Sequence, residues 1–208
     1  MKGLAKTILS RAAGFPEGTP LGNEMFLDLG SRAAINRGLL HCFHKRELLR
    51  VARGIYVAPV VNRFGSSAPL AHRFIGELSK QSGEDIVPSG ATTANTLGLT
   101  TQVPVQTVYW TSGRSRKFNL GKQVIHLEHV PSWQLALAGE PSGEIVRALA
   151  WAGSEQVRTV LNQLEGKVPQ ADIVEVAQQA SRFPHWLVDA LSRTATDIDG
   201  SCIGNGNS

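Results

Sequence analysis

Cysteine is nearly absent from this chain: two in 208 residues, Cys42 and Cys202, far apart and outside any CxxC pattern. That leaves no basis for a disulfide framework or a cysteine-based zinc module, and it fits a reducing cytoplasm. Long apolar runs are also missing. None approaches the ~20 residues a membrane helix needs, so a spanning segment is not expected. The opening Met1-Lys2-Gly3-Leu4-Ala5-Lys6 has no unbroken apolar stretch before a small-residue cleavage site, so a secretory signal is not expected either. Aromatic residues are sparse at 6% and charged residues stand at 18%, but apolar residues reach 42%. That is enough to bury a core and excludes wholesale disorder. The length suits one large domain or two small ones.

The formal charge of +4 is modest, but its distribution is uneven. Residues 1–64 carry a net +6, residues 65–130 a net +2 and residues 131–208 a net −4. An asymmetry of this kind suggests that the N-terminal part meets a polyanion and the C-terminal part does not.

The N-terminal part reads as a winged helix-turn-helix. Leu4, Ile8 and Ala12 recur at helical spacing, with Ala5 and Leu9 beside them. Gly14-Phe15-Pro16-Glu17-Gly18-Thr19-Pro20 breaks that helix. A short second helix covers Asn23 to Leu29, and Gly30 is placed to end it in a left-handed conformation. Ser31 then caps a third helix. On a wheel of ~100° per residue, Ile35, Leu39, Cys42 and Phe43 fall on one side, with Ala34 and Gly38 adjacent. The other side carries Ala33, Arg37, Leu40 and His44, flanked by Asn36 and His41, with Arg32 in the first turn. Arginine reads guanine and asparagine reads adenine through paired hydrogen bonds. A hairpin follows: Leu48 to Ala52 and Ile55 to Ala58, joined by Arg53-Gly54. As a wing it would offer Arg50 and Arg53 to phosphates or a minor groove. The competing reading is a helical domain with a capping hairpin that binds protein; helix order, turn, wing and charge together favour DNA.

Residues 61–69, punctuated by Gly65, Ser66, Ser67 and Pro69, read as a linker. Beyond them the pattern predicts a helix over 70–82, a short strand at Asp85 to Pro88, and a small-residue turn, Ser89 to Gly98, that enters a helix. Strands follow at 103–110, 118–120 and 124–130. The chain then turns helical at 133–138, 144–152, 156–164, 171–181 and 186–194, with Gly139, Gly153, Gly166 and Pro184 as separators. Residues 197–208 read as a loose tail. No repeat of fixed period is present.

Chemical motifs are few. Ser89-Gly90-Ala91-Thr92-Thr93 at a helix start is able to face an anion, but it lacks the glycine and lysine spacing of a P-loop. His126-Leu127-Glu128-His129 puts its two histidines on opposite faces of a strand, which argues against a metal site. His41 and His44 have helical spacing, yet Cys42 between them falls on the packed face and reads as core. No serine or cysteine sits in a nucleophile motif. The four tryptophans, Trp110, Trp133, Trp151 and Trp186, read as core or interface aromatics. Arg114, Arg116 and Lys117 form the one dense basic cluster of the second half, either a further DNA-backbone contact, a partner contact or a solvated turn.

The stretch Leu27-Asp28-Leu29-Gly30-Ser31-Arg32-Ala33-Ala34-Ile35, continued by Leu48 to Tyr56, resembles the winged helix of AbiEi-type antitoxins of type IV abortive-infection systems. Ile86 to Thr92, Leu97 to Pro104 and Thr111 to Arg116 resemble a subgroup of the same proteins, so the likeness spans about residues 1–195. The resemblance implies binding to promoter inverted repeats, repression of a toxin–antitoxin operon, and neutralisation of a nucleotidyltransferase-like toxin through the second domain. It assigns the DNA role to Ser31, Arg32, Asn36, Arg37, Arg50, Arg53 and Gly54. The chain departs from the family pattern at Arg46, where glycine is usual, at Cys42, where leucine is common, and at Gly38, where alanine is common.

The sequence therefore predicts an α+β protein: a winged helix-turn-helix over 1–60, a linker over 61–69, and a small mixed sheet with a C-terminal helical bundle over 70–196. The expected partners are double-stranded DNA, bound as a dimer on a palindromic site, and a toxin. No catalysis and no cofactor are expected. The alternatives are a stand-alone winged-helix regulator and a nucleotide-dependent enzyme built on the Ser89–Thr93 turn.

Overall fold

A computed structural model of the chain describes residues 2–63 and 65–192. The protein is α+β, built of helices and small sheets. It divides into two compact units that interleave along the sequence. The first comprises Met1–Ile86 with Gly113–Glu128, and the second Val87–Ser112 with His129–Ser208. No helix among the described residues is long and apolar enough to cross a membrane.

The first unit begins with α1 (Lys2–Ala12), a 3-10 helix (Asn23–Leu29) and α2 (Arg32–His44). Ala5, Ile8 and Ala12 of α1 meet Phe26 of the 3-10 helix and Ile35, Leu39 and Cys42 of α2 in one buried cluster. The i, i+4 spacing of the apolar residues on both α-helices is what brings these faces together. Gly38 lets α1 approach closely: a Cβ there would stand 2.8 Å from Ile8 Cδ1. Arg11 of α1 holds Asp28 through two parallel hydrogen bonds, Nη1 to Oδ1 and Nη2 to Oδ2, both 2.7 Å.

Strands β1 (Leu49–Ala52) and β2 (Ile55–Val57) pair antiparallel about the Arg53-Gly54 turn. Arg53 keeps a negative φ and only Gly54 is left-handed, at φ 77, so this is not the type I′ turn that matches strand twist. The register slips between Arg50 and Ala52, which absorbs the mismatch. Leu21 and Tyr56 exchange backbone hydrogen bonds of 2.7 and 3.0 Å, adding a third segment to the hairpin.

The linker expected over 61–69 is instead a second hairpin. β3 (Val60–Asn62) pairs antiparallel with β4 (Gly65–Ser67). The glycine and serines that read as a connection, Gly65, Ser66 and Ser67, are β4 itself. The division of the chain also differs from the expected one. Helix α3 (Ala71–Ser82) and the hairpin of β7 (Arg116–Leu120) and β8 (Gln123–His129) belong, but for His129, to the first unit. Phe74 of α3 and Phe118 of β7 meet edge to face at 5.1 Å. Phe118, Leu120, Ile125 and Leu127 are buried in strict alternation with more exposed neighbours. Gly18 lies against the start of α3, where a Cβ would stand 2.7 Å from Phe74 N.

The second unit holds most of β5 (Ile86–Pro88), then α4 (Gly90–Thr96), β6 (Thr107–Thr111), α5 (Ser142–Leu164) and α6 (Gln170–Gln178). Strand β6 covers only part of the expected 103–110, because Pro104 removes a ladder donor. Residues 132–135 form a single 3-10 turn where a helix over 133–138 was expected. Leu137 then takes a left-handed φ of 56, which no helix continues through. Helix α5 contains the two expected helices, bent at Gly153, whose φ is 68. A last helix runs over 185–192. Its expected end near Thr194 and the tail over 197–208 lie outside the described residues. The core joins Ile145, Leu149, Val157 and Leu161 of α5 to Ile173 and Val176 of α6 and to Phe183 and Leu187. Trp133 stacks edge-on against both Phe183 and Trp186.

Candidate nucleic-acid interface

The candidate site is the outer face of α2. Gly30, at φ 155 and ψ −170, occupies an extended region reserved for glycine and not the left-handed cap expected from the sequence. It turns the chain so that Ser31 starts α2. The Ser31 hydroxyl accepts from Ala34 N at 3.3 Å, the N-cap bond expected of it. From there the helix buries Ile35, Gly38, Leu39 and Cys42 and exposes Arg32, Ala33, Asn36, Arg37, Leu40, His41 and His44.

The exposed side chains are not equally free. Asn36 Oδ1 accepts from Asn23 Nδ2 at 3.0 Å, so its orientation is set from the 3-10 helix. Arg37 Nε donates to Ala33 O at 3.3 Å, which lays the side chain along the helix. Arg37 and His41 line a groove of about 250 Å³ with Leu4, Ala34 and Gly38. The missing side chain at position 38 opens this groove. Arg50 is exposed on β1, its Nε donating to Ala52 O at 3.3 Å, and Arg53 and Gly54 are exposed at the turn. Among the described residues none of Arg32, Arg37, Arg50 and Arg53 is paired with a carboxylate. Nearby Asp28 is already held by Arg11, whose hydrogen bonds keep its carboxyl below the usual aspartate range.

The second basic cluster divides. Arg116 Nη2 pairs with Glu84 at 2.7 Å, its Nη1 donates to Arg114 O, and its guanidinium lies 5.7 Å from the Phe118 ring centre. Arg116 is therefore a structural residue, whereas Arg114 and Lys117 are exposed. All three sit in the first unit with α2. With this hairpin included, the first unit carries sixteen Lys/Arg against eight Asp/Glu, a net +8, and the second five against nine, a net −4. The contrast between the units is sharper than the one along the chain.

The remaining motifs have local explanations. Ser89 caps α4, its hydroxyl 3.1 Å from that of Thr92. Among the described residues no three metal-binding side chains come together. The end of α2 is where the sequence departs from the resembled pattern, with Arg46 in place of a usual glycine. Arg46 there is left-handed at φ 59, with Arg46 N donating to Phe43 O and Glu47 N to Cys42 O, both at 2.9 Å. That pair of bonds is a Schellman closure, which normally places glycine at the Arg46 position.

A family model matches residues 7–172, so the chain belongs to DUF6088, a family of unknown function. Among curated proteins and among solved structures, none matches it.

Proposed function

We propose that the first unit is a winged helix-turn-helix that binds double-stranded DNA, with α2 as the recognition helix and the β1–β2 hairpin as the wing. The observation that carries this reading is the outer face of α2. Arg32 and Arg37 stand exposed there with no carboxylate partner among the described residues, in the part of the helix that approaches base edges, on a unit of net +8. Arg50 and Arg53 on the hairpin add phosphate contacts. The chain acts as an antitoxin that represses its own operon and neutralises a nucleotidyltransferase-like toxin. What supports that finer role is the resemblance of residues 1–195 to AbiEi-type antitoxins. A palindromic operator requires two copies of the unit.

The test is a mobility shift of the full chain on DNA upstream of its own gene, with nonspecific competitor and a salt series. Arg50 and Arg53 neutralise two phosphates per copy, four in a two-copy complex, which gives a slope of log K against log salt of about −3.6, at about −0.9 each. The double variant Arg32→Ala/Arg37→Ala loses preference for the operator over nonspecific DNA, whereas Arg50→Ala/Arg53→Ala weakens binding to both and loses that slope. Unchanged operator preference in the Arg32→Ala/Arg37→Ala variant overturns the assigned site. Co-expression with the neighbouring nucleotidyltransferase-like gene product then tests the antitoxin role, and its absence from the neighbourhood favours a stand-alone regulator.

A further inference from the structure

The second unit buries a cation that nothing in the DNA reading uses. Arg147 lies in the apolar run Ile145-Val146-Arg147-Ala148-Leu149 and is 3% exposed. Its Nε and Nη1, and the hydroxyl of fully buried Ser142, have no hydrogen-bond partner among the described residues. None of the ion pairs among the described residues involves Arg147. Burial pushes the guanidinium pKa down, and the charge of Glu144 offsets this only in part. A buried cation without an ion-pair partner is destabilising, and a hydrophobic residue of similar size at this position would avoid that cost.

The guanidinium runs back to the first turn of α5. A Cβ on Gly143 would stand 3.1 Å from Arg147 Nη1 and 2.0 Å from the Leu137 carbonyl oxygen. Only glycine at 143 lets the Leu137 loop close over this turn, and Leu137 itself is held in a left-handed conformation. From the other side α4 abuts α5 at the same level, since a Cβ on Gly90 would stand 2.6 Å from Arg147 O. Ser89, Thr93, Thr111, Ser142 and Arg147 are the buried polar residues among the described part of the chain, and all five belong to this unit.

We propose that Arg147 and Ser142 form a binding site for a small oxyanion, of the phosphate or carboxylate class, at the start of α5. The planar guanidinium supplies charge and several donors, the Ser142 hydroxyl a further one, and the helix N-terminus a favourable dipole. This site is independent of the α2 face.

The experiment is thermal unfolding of the full chain in chloride buffer at constant ionic strength, titrated with inorganic phosphate or with acetate. The wild type shows a saturable rise in melting temperature with one of the two anions, and the preferred anion names the class. Arg147→Gln abolishes the rise while leaving the DNA mobility shift intact. Ser142→Ala weakens the apparent Kd by about tenfold to a hundredfold, the value of one hydrogen bond to a charged acceptor. No saturable rise with either anion, or a rise of equal size in Arg147→Gln, overturns the proposal. Should Arg147→Gln fail to fold, a Ser142→Ala titration superimposable on wild type overturns it.

Discussion

Replacing Arg46 by glycine and, separately, by alanine isolates backbone strain at the end of α2. Arg46 holds φ 59 because the Schellman closure from Arg46 N and Glu47 N demands a left-handed residue after Lys45. A residue with a Cβ pays about 1–2 kcal/mol for that conformation. Glycine avoids the strain but brings about 0.4–1 kcal/mol of extra freedom to the unfolded chain. Both variants lose the same positive charge beside the C-terminal end of the helix, worth about 0.3–1 kcal/mol, so that contribution cancels between them. Arg46→Gly is therefore more stable than Arg46→Ala by roughly 0.5–1 kcal/mol. In a chain of this size the difference is roughly 1–4 °C in melting temperature. Circular dichroism melts read it directly, and urea midpoints that separate at an unchanged slope confirm its origin. An alanine variant that melts with or above the glycine variant refutes the argument, because the strain would then not exist.

Other perturbations follow from the same geometry. Gly18→Ala places a Cβ 2.7 Å from Phe74 N at a left-handed φ of 89, and it destabilises the first unit by roughly 2–5 kcal/mol; a wild-type urea midpoint contradicts the packing of this turn on α3. The Asp28 carboxyl is depressed by Arg11, so its contribution to stability is present above the ordinary pKa of about 3.9 and fades as pH falls through the lower folded value. Asp28→Asn accordingly flattens the stability curve in that acid window, and parallel curves in variant and wild type count against it. The Cys42 thiol is fully buried and pushed up in pKa by that burial. In a Cys202→Ser background it reacts with a thiol reagent only when the protein unfolds, and prompt native-state labelling contradicts the burial.

The features that were legible in the sequence are those set by short spacing. The wheel over 32–44 sorted Ile35, Leu39 and Cys42 from Arg37, Leu40 and His44, because one α-helical face meets one core. Gly153 separated two helices because its backbone leaves the helical region. What depended on distant partners was not legible. The β7–β8 hairpin joins the first unit through contacts such as Phe74 with Phe118, between residues far apart in the chain. Arg116 read as part of a basic cluster, but its partner Glu84 lies 32 residues away. Residues 23–29 carry a helical pattern too short to distinguish a 3-10 helix from an α-helix. For the candidate site, exposure at Arg32, Arg37, Arg50 and Arg53 was readable, while the tether of Asn36 to Asn23 was not. Arg147 did leave a signal, a lone cation in an apolar helical run, which periodicity alone weighs as one polar residue among many.

The interleaving of the units also bears on how the protein is made. A ribosome that has released the chain through Ile86 has supplied α1, α2 and α3 but not the hairpin that packs on them. Glu128, the end of that hairpin, follows 42 residues later. At translation rates of about 5–20 residues per second, the wait is roughly 2–8 s. During it the Phe74 side of α3 lacks its Phe118 partner, and α5 and α6 of the second unit have not yet been made. Folding of the basic unit is thus tied to synthesis of the second unit's opening segment, Val87–Ser112, which must pass before the hairpin arrives.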